Sequence, residues 1–160
     1  MRIAVCPGSF DPVTNGHLDI IRRASTMFDK VIVVVMRNYS KTAYFDAEKR
    51  LEFLQKSLVD LDNVEVDISQ GLLAIYAKQK GANILVKGLR AVSDFEYEFQ
   101  MALTNKKLNP DLETVFLTSN SQYMYLSSSI VRQVASLGGD ISEFVPECIE
   151  NDIRERFRNI

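Results

Sequence analysis

The sequence is poor in the residues that cross-link a chain or ligate metals. Its 160 residues include no tryptophan, one histidine and two cysteines. Cys6 and Cys148 lie far apart, and neither belongs to a C-x-x-C or Cys/His spacing, which argues against a zinc motif and a disulfide framework. A chain of this length needs no disulfide to fold. We therefore expect both cysteines to be free, buried thiols in a reducing compartment.

Long hydrophobic runs and a strong net charge are also missing. The longest aliphatic run, residues 31–36, is far shorter than the roughly 20 residues that cross a bilayer, and the first residues do not resemble a secretory signal. Nineteen Lys and Arg against 21 Asp and Glu give a formal charge of −2, so no overall field attracts nucleic acid or an anionic membrane. We expect a cytoplasmic protein that binds neither.

What is present is the composition of an ordinary folded domain, with 46% hydrophobic and 25% charged residues. No repeat, low-complexity tract or linker divides the chain, so we expect a single domain over residues 1–160. Short β-branched runs alternate with segments of helical period, which indicates β-α units. The predicted strands cover residues 3–6, 31–36, 64–68, 84–86 and 114–117.

The nearly unbroken hydrophobicity of these strands is typical of a sheet covered on both faces. We expect an α/β fold: a doubly wound, Rossmann-like sheet of five parallel strands with helices on both faces and a C-terminal helical extension. The predicted helices follow His17 and cover residues 47–58, 72–76, 94–108, 130–137 and 146–157, with Asp46 as an N-cap, Gly81 closing the third and Pro146 opening the last. In the helix over 94–108 we expect one face to point inward (Phe95, Phe99, Ala102 and Leu103) and Glu96 to point outward.

Ligands of such sheets bind beyond the carboxyl ends of the strands. The loop after the first strand reads Pro-Gly-Ser-Phe-Asp-Pro-Val-Thr-Asn-Gly-His, which is neither G-x-G-x-x-G nor a Walker loop. Gly8 permits close backbone approach, Ser9 supplies a hydroxyl, and His17 in a first helical turn can donate a ring N–H to a phosphate. The alternative is that Thr14 or Asn15 only caps the helix and His17 is a surface residue.

The loop after the fourth strand carries two cations, Lys87 and Arg90, on either side of Gly88. This pattern favours a phosphate or sugar site, with a solvated turn as the alternative. Asp94 and Glu98 lie four apart, so both can face the same side of the next helix.

The loop after the fifth strand ends in three serines at the start of a helix, with Arg132 one turn in. Hydroxyls and free N–H groups at a helix N-terminus can bind a second anion. Simple helix capping is the alternative.

Taken together, these segments resemble a known family. Thr14-Asn15-Gly16-His17 is similar to the T/H-x-G-H motif of the nucleotidyltransferase superfamily, and Ser-Ser-Ser-Ile-Val-Arg at residues 127–132 resembles its partner motif I-S-S-S/T-x-x-R. The flanking Pro-Gly-Ser-Phe-Asp-Pro-Val and Gly-Leu-Arg-Ala-Val-Ser-Asp-Phe-Glu-Tyr-Glu segments narrow the resemblance to the bacterial phosphopantetheine adenylyltransferase family. It covers residues 3 to about 146, with Lys87 and Ser9 where many relatives have Arg and Thr.

The resemblance implies an enzyme that transfers AMP from ATP to 4′-phosphopantetheine, giving dephospho-coenzyme A and pyrophosphate, with His17 as transition-state stabiliser. The implied ATP-binding residues are Ser9, Phe10, His17, Gly88, Leu89, Arg90, Glu98, Tyr123, Met124, Tyr125, Leu126, Ser127, Ser128 and Ser129. The implied phosphopantetheine-binding residues are Ser9, Lys41, Leu73 and Lys87. The family also implies a homo-oligomer, a hexamer, and Mg²⁺ bound mainly through substrate phosphates, since no Asp/Glu cluster marks a protein-made cage.

The sequence shows no nucleophile–base pair, which favours direct in-line displacement assisted by positioning and charge stabilisation. Two alternatives stay open. One is another small nucleotidyltransferase that acts on nicotinate mononucleotide or glycerol phosphate, and the other is a non-catalytic nucleotide-binding sensor. A class I aminoacyl-tRNA synthetase is excluded because 160 near-neutral residues offer neither the room nor the field for tRNA.

Overall fold

Five parallel strands form the centre of the computed structural model, which describes residues 1–37 and 42–158, with Val92 and Ser93 described by backbone only. The strands are β1 (Ile3–Gly8), β2 (Lys30–Met36), β3 (Val64–Ser69), β4 (Ile84–Leu89) and β5 (Glu113–Thr118). Their order is β3-β2-β1-β4-β5, and all neighbouring pairs are parallel. The predicted doubly wound α/β sheet is confirmed. The main difference in bounds is that β1 and β4 run further toward their carboxyl ends than predicted.

The helices follow the strands in the expected alternation. They are α1 (Asn15–Met27), α2 (Ala47–Ser57), α3 (Leu73–Gln79), α4 (Val92–Leu108), α5 (Ser128–Ser136) and α6 (Glu147–Arg158), with a short 3-10 turn over Ser121–Tyr123. Asp46 caps α2, as predicted, by accepting from the Lys49 amide. Gly81 follows α3 with a φ of 68°, which favours glycine. Helix α6 begins one residue after Pro146.

The two faces of the sheet carry separate hydrophobic clusters because strand side chains alternate. The larger cluster joins Ala4, Val33 and their neighbours to α1, α2, α5 and α6. The smaller one joins Val5, Ile32 and Val34 to α3. Helices therefore lie on both faces, and α6 forms the predicted C-terminal extension by packing on α2 and α5.

The sheet opens where its strand order reverses. The ladder between β1 and β4 contains Ala4–Ile84 and Val5–Leu85, whereas β4 pairs with β5 over its whole length. Beyond these two pairs the carboxyl ends of β1 and β4 separate. A crevice at this switch point is the expected ligand site of an open α/β sheet.

Helix α4 contradicts most of the predicted orientation. Phe95, Phe99 and Leu103, predicted to point inward, are 43%, 46% and 57% exposed. Ala102 is half-buried and Glu96 is exposed, as predicted. The side turned toward the body of the protein instead carries Asp94 and Glu98. The apolar spacing correctly predicted a helix, but periodicity alone does not say which face the core covers.

The prediction for the cysteines is half right. Both are free thiols, and Cys6 is buried in the sheet, where burial raises its pKa to about 12. Cys148 is exposed because its neighbour Ile149 takes the inward side of α6. None of the helices described is long and apolar enough to cross a membrane.

Candidate active site

A cleft of about 520 Å³ lies at the separated carboxyl ends of β1 and β4. It is lined by the loops after β1, β4 and β5 and by the side of α4 that faces the sheet. The following predicted site residues line it: Ser9, Phe10, His17, Lys87, Gly88, Arg90, Glu98, Tyr123, Leu126, Ser127 and Ser128. Three loops that are distant in sequence thus form one cavity.

The other predicted site residues lie elsewhere or outside the described chain. Leu89, Leu73, Met124, Tyr125 and Ser129 are not among the residues that line the cleft. Leu73 packs against the smaller core cluster, and Met124 and Tyr125 are exposed. Lys41, which was predicted to bind phosphopantetheine, lies outside the described residues. The roles of these residues stay predictions.

His17 is held in one orientation by the N-terminus of α1. The Thr14 amide donates to its Nδ1 at 3.0 Å, and the Thr14 side chain accepts from the His17 amide, which together form a reciprocal cap. Because Nδ1 accepts this hydrogen bond, the proton of the neutral ring is on Nε2. Thr14 caps the helix, and His17, far from being a free surface residue, lines the cleft.

The environment of His17 keeps the imidazole neutral. Burial lowers its pKa from 6.5 to about 4, and the charges of Lys87 and Arg90 lower it in the same direction. At neutral pH the ring is therefore an uncharged donor through Nε2. Such a group can stabilise developing negative charge without gaining or losing a proton.

Phe10 shapes the loop after β1. It is a non-glycine residue with a φ of 48°, and its ring meets His17 edge-on at 5.1 Å between centroids. The same ring fills the space beside Gly8, where a Cβ would lie 2.9 Å from the Phe10 Cζ. A side chain at position 8 would therefore force the Phe10 ring to shift.

Side chains from two helices hold the carbonyls of this loop. Arg50 of α2 donates to the Ser9 carbonyl at 2.8 Å, and Arg132 of α5 donates to the Asp11 carbonyl at 2.6 Å. Ser128 donates to the carbonyl of Pro12 at 2.7 Å. The loop is thus fixed at three nearby carbonyls.

Sequence reasoning missed Arg50 and Asp11. The Asp11 carboxylate accepts the amides of Tyr44 and Phe45, each at 2.9 Å, and so connects the loop after β1 to the segment before α2. A signal for Arg50 exists in the sequence, because it lies three residues after Ala47 and four before Leu54, on the buried face of α2. Asp11 has no such signal.

The cations at the carboxyl end of β4 are paired with carboxylates of α4. Lys87 Nζ lies 3.4 Å from Glu98 Oε1, and Arg90 Nε lies 3.1 Å from Asp94 Oδ2. Arg90 also donates to the Leu126 carbonyl at 2.8 Å, which connects the loop after β4 to the loop before α5. The predicted shared face of Asp94 and Glu98 is present and serves these ion pairs.

Ser127 and Arg132, near the N-terminus of α5, both make hydrogen bonds within the protein. Ser127 caps the helix by accepting from the Ile130 amide at 3.2 Å, which is the capping alternative, yet it also lines the cleft. Arg132 does not extend an anion site here, because its guanidinium contacts the Asp11 carbonyl and the Ser129 hydroxyl and lies 4.8 Å from the Tyr44 ring centre.

The cleft has no ready cage of metal ligands. Within residues 1–37 and 42–158, no group of three or more His, Cys, Asp and Glu side chains could hold a metal ion. The carboxylates of Asp94 and Glu98 already face Arg90 and Lys87. These donors do not fit a metal held by the protein alone.

Comparison with known proteins gives consistent matches over the chain. Residues 5–134 match the cytidylyltransferase-like family model. The phosphopantetheine adenylyltransferase of Caldanaerobacter subterraneus subsp. tengcongensis is 54% identical over 158 residues, 99% of this chain and 99% of that protein. The phosphopantetheine adenylyltransferase of Alkaliphilus metalliredigens is 56% identical over 149 residues, 93% of this chain and 95% of that protein.

The fold has a solved counterpart. A crystal structure described as a putative nicotinate-nucleotide adenylyltransferase from Vibrio parahaemolyticus superposes with a TM-score of 0.68, over 99% of this chain and 93% of that one. The two sequences are 20% identical, so this likeness concerns the fold alone.

Proposed function

The chain belongs to the phosphopantetheine adenylyltransferases, and on that premise we propose that its cleft binds ATP and 4′-phosphopantetheine and transfers AMP from the first to the second. The products are dephospho-coenzyme A and pyrophosphate, in the biosynthesis of coenzyme A. The observation that carries the proposal is a neutral His17 fixed at the edge of a cleft shared by three strand-end loops.

ATP binds along the loops after β1, β4 and β5. The Phe10 amide and the Ser9 hydroxyl meet the phosphates, and the N-terminus of α5 takes the departing pyrophosphate. His17 donates from Nε2 to the α-phosphate as negative charge builds up on it. The remaining nucleotide contacts come from Gly88, Leu89, Arg90, Glu98 and residues 123–129.

The reaction is a single displacement. An oxygen of the acceptor phosphate attacks the α-phosphorus, a new P–O bond forms, and the bond to the β-phosphate oxygen breaks with its electron pair leaving on pyrophosphate. The acceptor is already an anion and needs no general base. Neither Cys6 nor Ser128 of the cleft is an activated nucleophile, since burial raises the Cys6 pKa to about 12 and the Ser128 hydroxyl donates to the Pro12 carbonyl.

The proposed acceptor contacts are those that the family resemblance implies, Ser9, Lys41, Leu73 and Lys87. The Lys87 ammonium, now 3.4 Å from Glu98, is the cation offered to the acceptor phosphate. Because no described group of His, Cys, Asp and Glu side chains forms a cage, Mg²⁺ would be held mainly by the triphosphate oxygens and its own waters. There it would supply positive charge that offsets the charge of the leaving pyrophosphate.

The proposed assembly is a homo-oligomer, a hexamer as in the family, in the cytoplasm. Its support is the apolar outer face of α4, where Phe95, Phe99 and Leu103 are exposed together. A second copy of the chain would cover this face. The two free thiols fit a reducing compartment.

The assembly is tested by placing charges on this face. Phe99→Lys with Leu103→Lys should lower the molecular mass measured by light scattering after gel filtration. The matched control is Leu137→Lys, since Leu137 is 81% exposed and follows the last residue of a different helix, α5. A monomeric mass for the parent protein, or an unchanged mass for the double variant, contradicts the proposed interface.

The activity is tested by pyrophosphate release from ATP with three acceptors in parallel: 4′-phosphopantetheine, nicotinate mononucleotide and glycerol phosphate. Release is expected with 4′-phosphopantetheine. Activity with another acceptor alone would reassign the substrate, and release with none would favour the nucleotide sensor.

The role of His17 is tested by His17→Ala. Loss of one preorganised donor costs roughly 2.7–4 kcal/mol of transition-state stabilisation, so turnover should fall by about 10²-fold or more. ATP affinity, measured by calorimetry, should fall much less. An equal loss in affinity and turnover would remove the transition-state role.

A further inference from the structure

Arg50 is a buried cation that bonds to backbone carbonyls. The residue is 4% exposed, its Nε donates to the Asp46 carbonyl at 3.3 Å, and its Nη1 donates to the Ser9 carbonyl at 2.8 Å. Among residues 1–37 and 42–158, no carboxylate forms an ion pair with it, although the charges of Asp11, Asp46 and Glu48 favour its charged form. Burial accordingly lowers its pKa from the ordinary value of 12.5.

Stability alone gives no reason for an arginine at this position. Removing a guanidinium from water is costly, and an apolar side chain of similar size would fill the same space without that cost. The reason for an arginine at position 50 must therefore lie in the group to which its guanidinium donates. The partner outside its own helix is the Ser9 carbonyl, in the loop that lines the cleft.

The Ser9 carbonyl shares a peptide unit with the Phe10 amide. This peptide is trans, since the only cis bond in the described chain is Asp11–Pro12. In a trans peptide the C=O and the N–H point to opposite sides of the chain. The guanidinium on the oxygen therefore fixes the direction of the Phe10 N–H, away from α2.

The Phe10 N–H is available to a ligand. Within the described part of the chain, no protein oxygen accepts from it. Ser9 and Phe10 line the cleft, whereas Arg50 is not among its lining residues.

The backbone at Phe10 also needs support. Its φ of 48° lies in the left-handed region, which non-glycine residues adopt at a cost. A charged hydrogen bond to the preceding carbonyl favours this conformation over a relaxed one. The same bond polarises the peptide and makes its N–H a stronger donor.

We propose that Arg50 is a positioning residue for nucleotidyl transfer, which holds the Ser9 carbonyl so that the Phe10 N–H points into the cleft toward a phosphate oxygen of ATP. This inference rests on the proposed function in taking ATP as the ligand. Arg50 itself touches no substrate.

The test compares a ligand that has phosphates with one that lacks them. Arg50→Met keeps the length and apolar stem and removes the guanidinium. By isothermal calorimetry, its affinity for ATP should fall by about 10- to 100-fold, the range for a hydrogen bond to a charged group. Its affinity for adenosine should stay within about twofold, because adenosine makes no phosphate contact.

Lys49→Met is the matched control. It removes the same charge from the neighbouring position of α2, where Lys49 pairs with Glu52 and Asp152 on the surface. ATP affinity should not change. Arg50→Lys keeps the charge without the forked donor and should fall between the parent protein and Arg50→Met.

Two results would overturn the proposal. One is ATP affinity that is the same in Arg50→Met and the parent protein. The other is an equal loss for ATP and adenosine, which a merely structural role would give. If circular dichroism shows that Arg50→Met is unfolded, the ATP-to-adenosine ratio of Arg50→Lys decides. Failure of the proposed function is separate, because the parent protein would then bind ATP without releasing pyrophosphate on addition of 4′-phosphopantetheine.

Discussion

Protonation of His17 should lower the stability of the folded protein, and a variant without the imidazole should escape this effect. The pKa of His17 is about 4 in the folded chain against 6.5 for the free side chain. Between these values the unfolded chain binds a proton that the folded chain does not, so stability falls as the pH drops from 6.5 toward 4 and is unaffected by this group above 6.5. Each pKa unit corresponds to about 1.4 kcal/mol, which gives about 3 kcal/mol at most.

The assay is urea unfolding of the parent protein and His17→Gln at about pH 7 and about pH 4.5. Glutamine can still accept from the Thr14 amide but does not titrate. Carboxylates that protonate in this range affect both proteins alike and cancel in the comparison. The parent protein should lose about 2 kcal/mol more than the variant over this range.

A direct measurement accompanies the unfolding data. Because His17 is the only histidine in the chain, its ring protons give a single, unambiguous titration by NMR. The midpoint is expected near 4. A midpoint near the ordinary 6.5, or equal stability losses in the two proteins, refutes the reasoning that burial and neighbouring cations keep this ring neutral.

Three substitutions test the packing and helix capping around the site by urea unfolding. Gly88→Ala should lower stability by about 1–3 kcal/mol, because its Cβ would lie 2.9 Å from Ile20 Cγ1. Gly71→Ala, where a Cβ meets nothing within 4 Å, should change stability by no more than about 1 kcal/mol, and an equal loss at both glycines would contradict the steric explanation. Ser127→Ala should cost about 1 kcal/mol, since the cap to the Ile130 amide is lost, and an unchanged value would mean that water replaces it fully.

The strands were predictable from sequence because buried parallel strands are continuous apolar runs. The carboxyl ends were not, since Pro7 and the pair Lys87 and Gly88 interrupt those runs while the ladders continue through Pro7–Val34 and Lys87–Phe116. Polar and special residues at these ends serve the cleft. A prediction based on continuous apolar runs therefore ends these strands just before the site.

The loops of the site were predictable, but the direction of individual side chains was not. The cap of Thr14 and the position of His17 follow from local chain geometry, which spacing along the sequence encodes. Arg50 and Arg132 donate to carbonyls that are 41 and 121 residues away in the sequence. Because every residue has a carbonyl, no sequence motif identifies these acceptors. The sequence pattern thus indicates that Arg132 binds a phosphate, whereas in the structure its guanidinium supports the loop after β1.

Acidic residues of helix α4 partly offset the positive charge of the cations that line the cleft. The inward face of this helix places the carboxylates of Asp94 and Glu98 beside Arg90 and Lys87, and its large apolar residues are exposed. Cations that are paired with carboxylates attract an anion less strongly over distance. Selection of an anionic ligand must therefore depend on hydrogen-bond donors of fixed direction. A neutral imidazole N–H is such a donor. Its direction is set by the hydrogen bond on Nδ1, and a neutral N–H can meet developing negative charge without exchanging a proton.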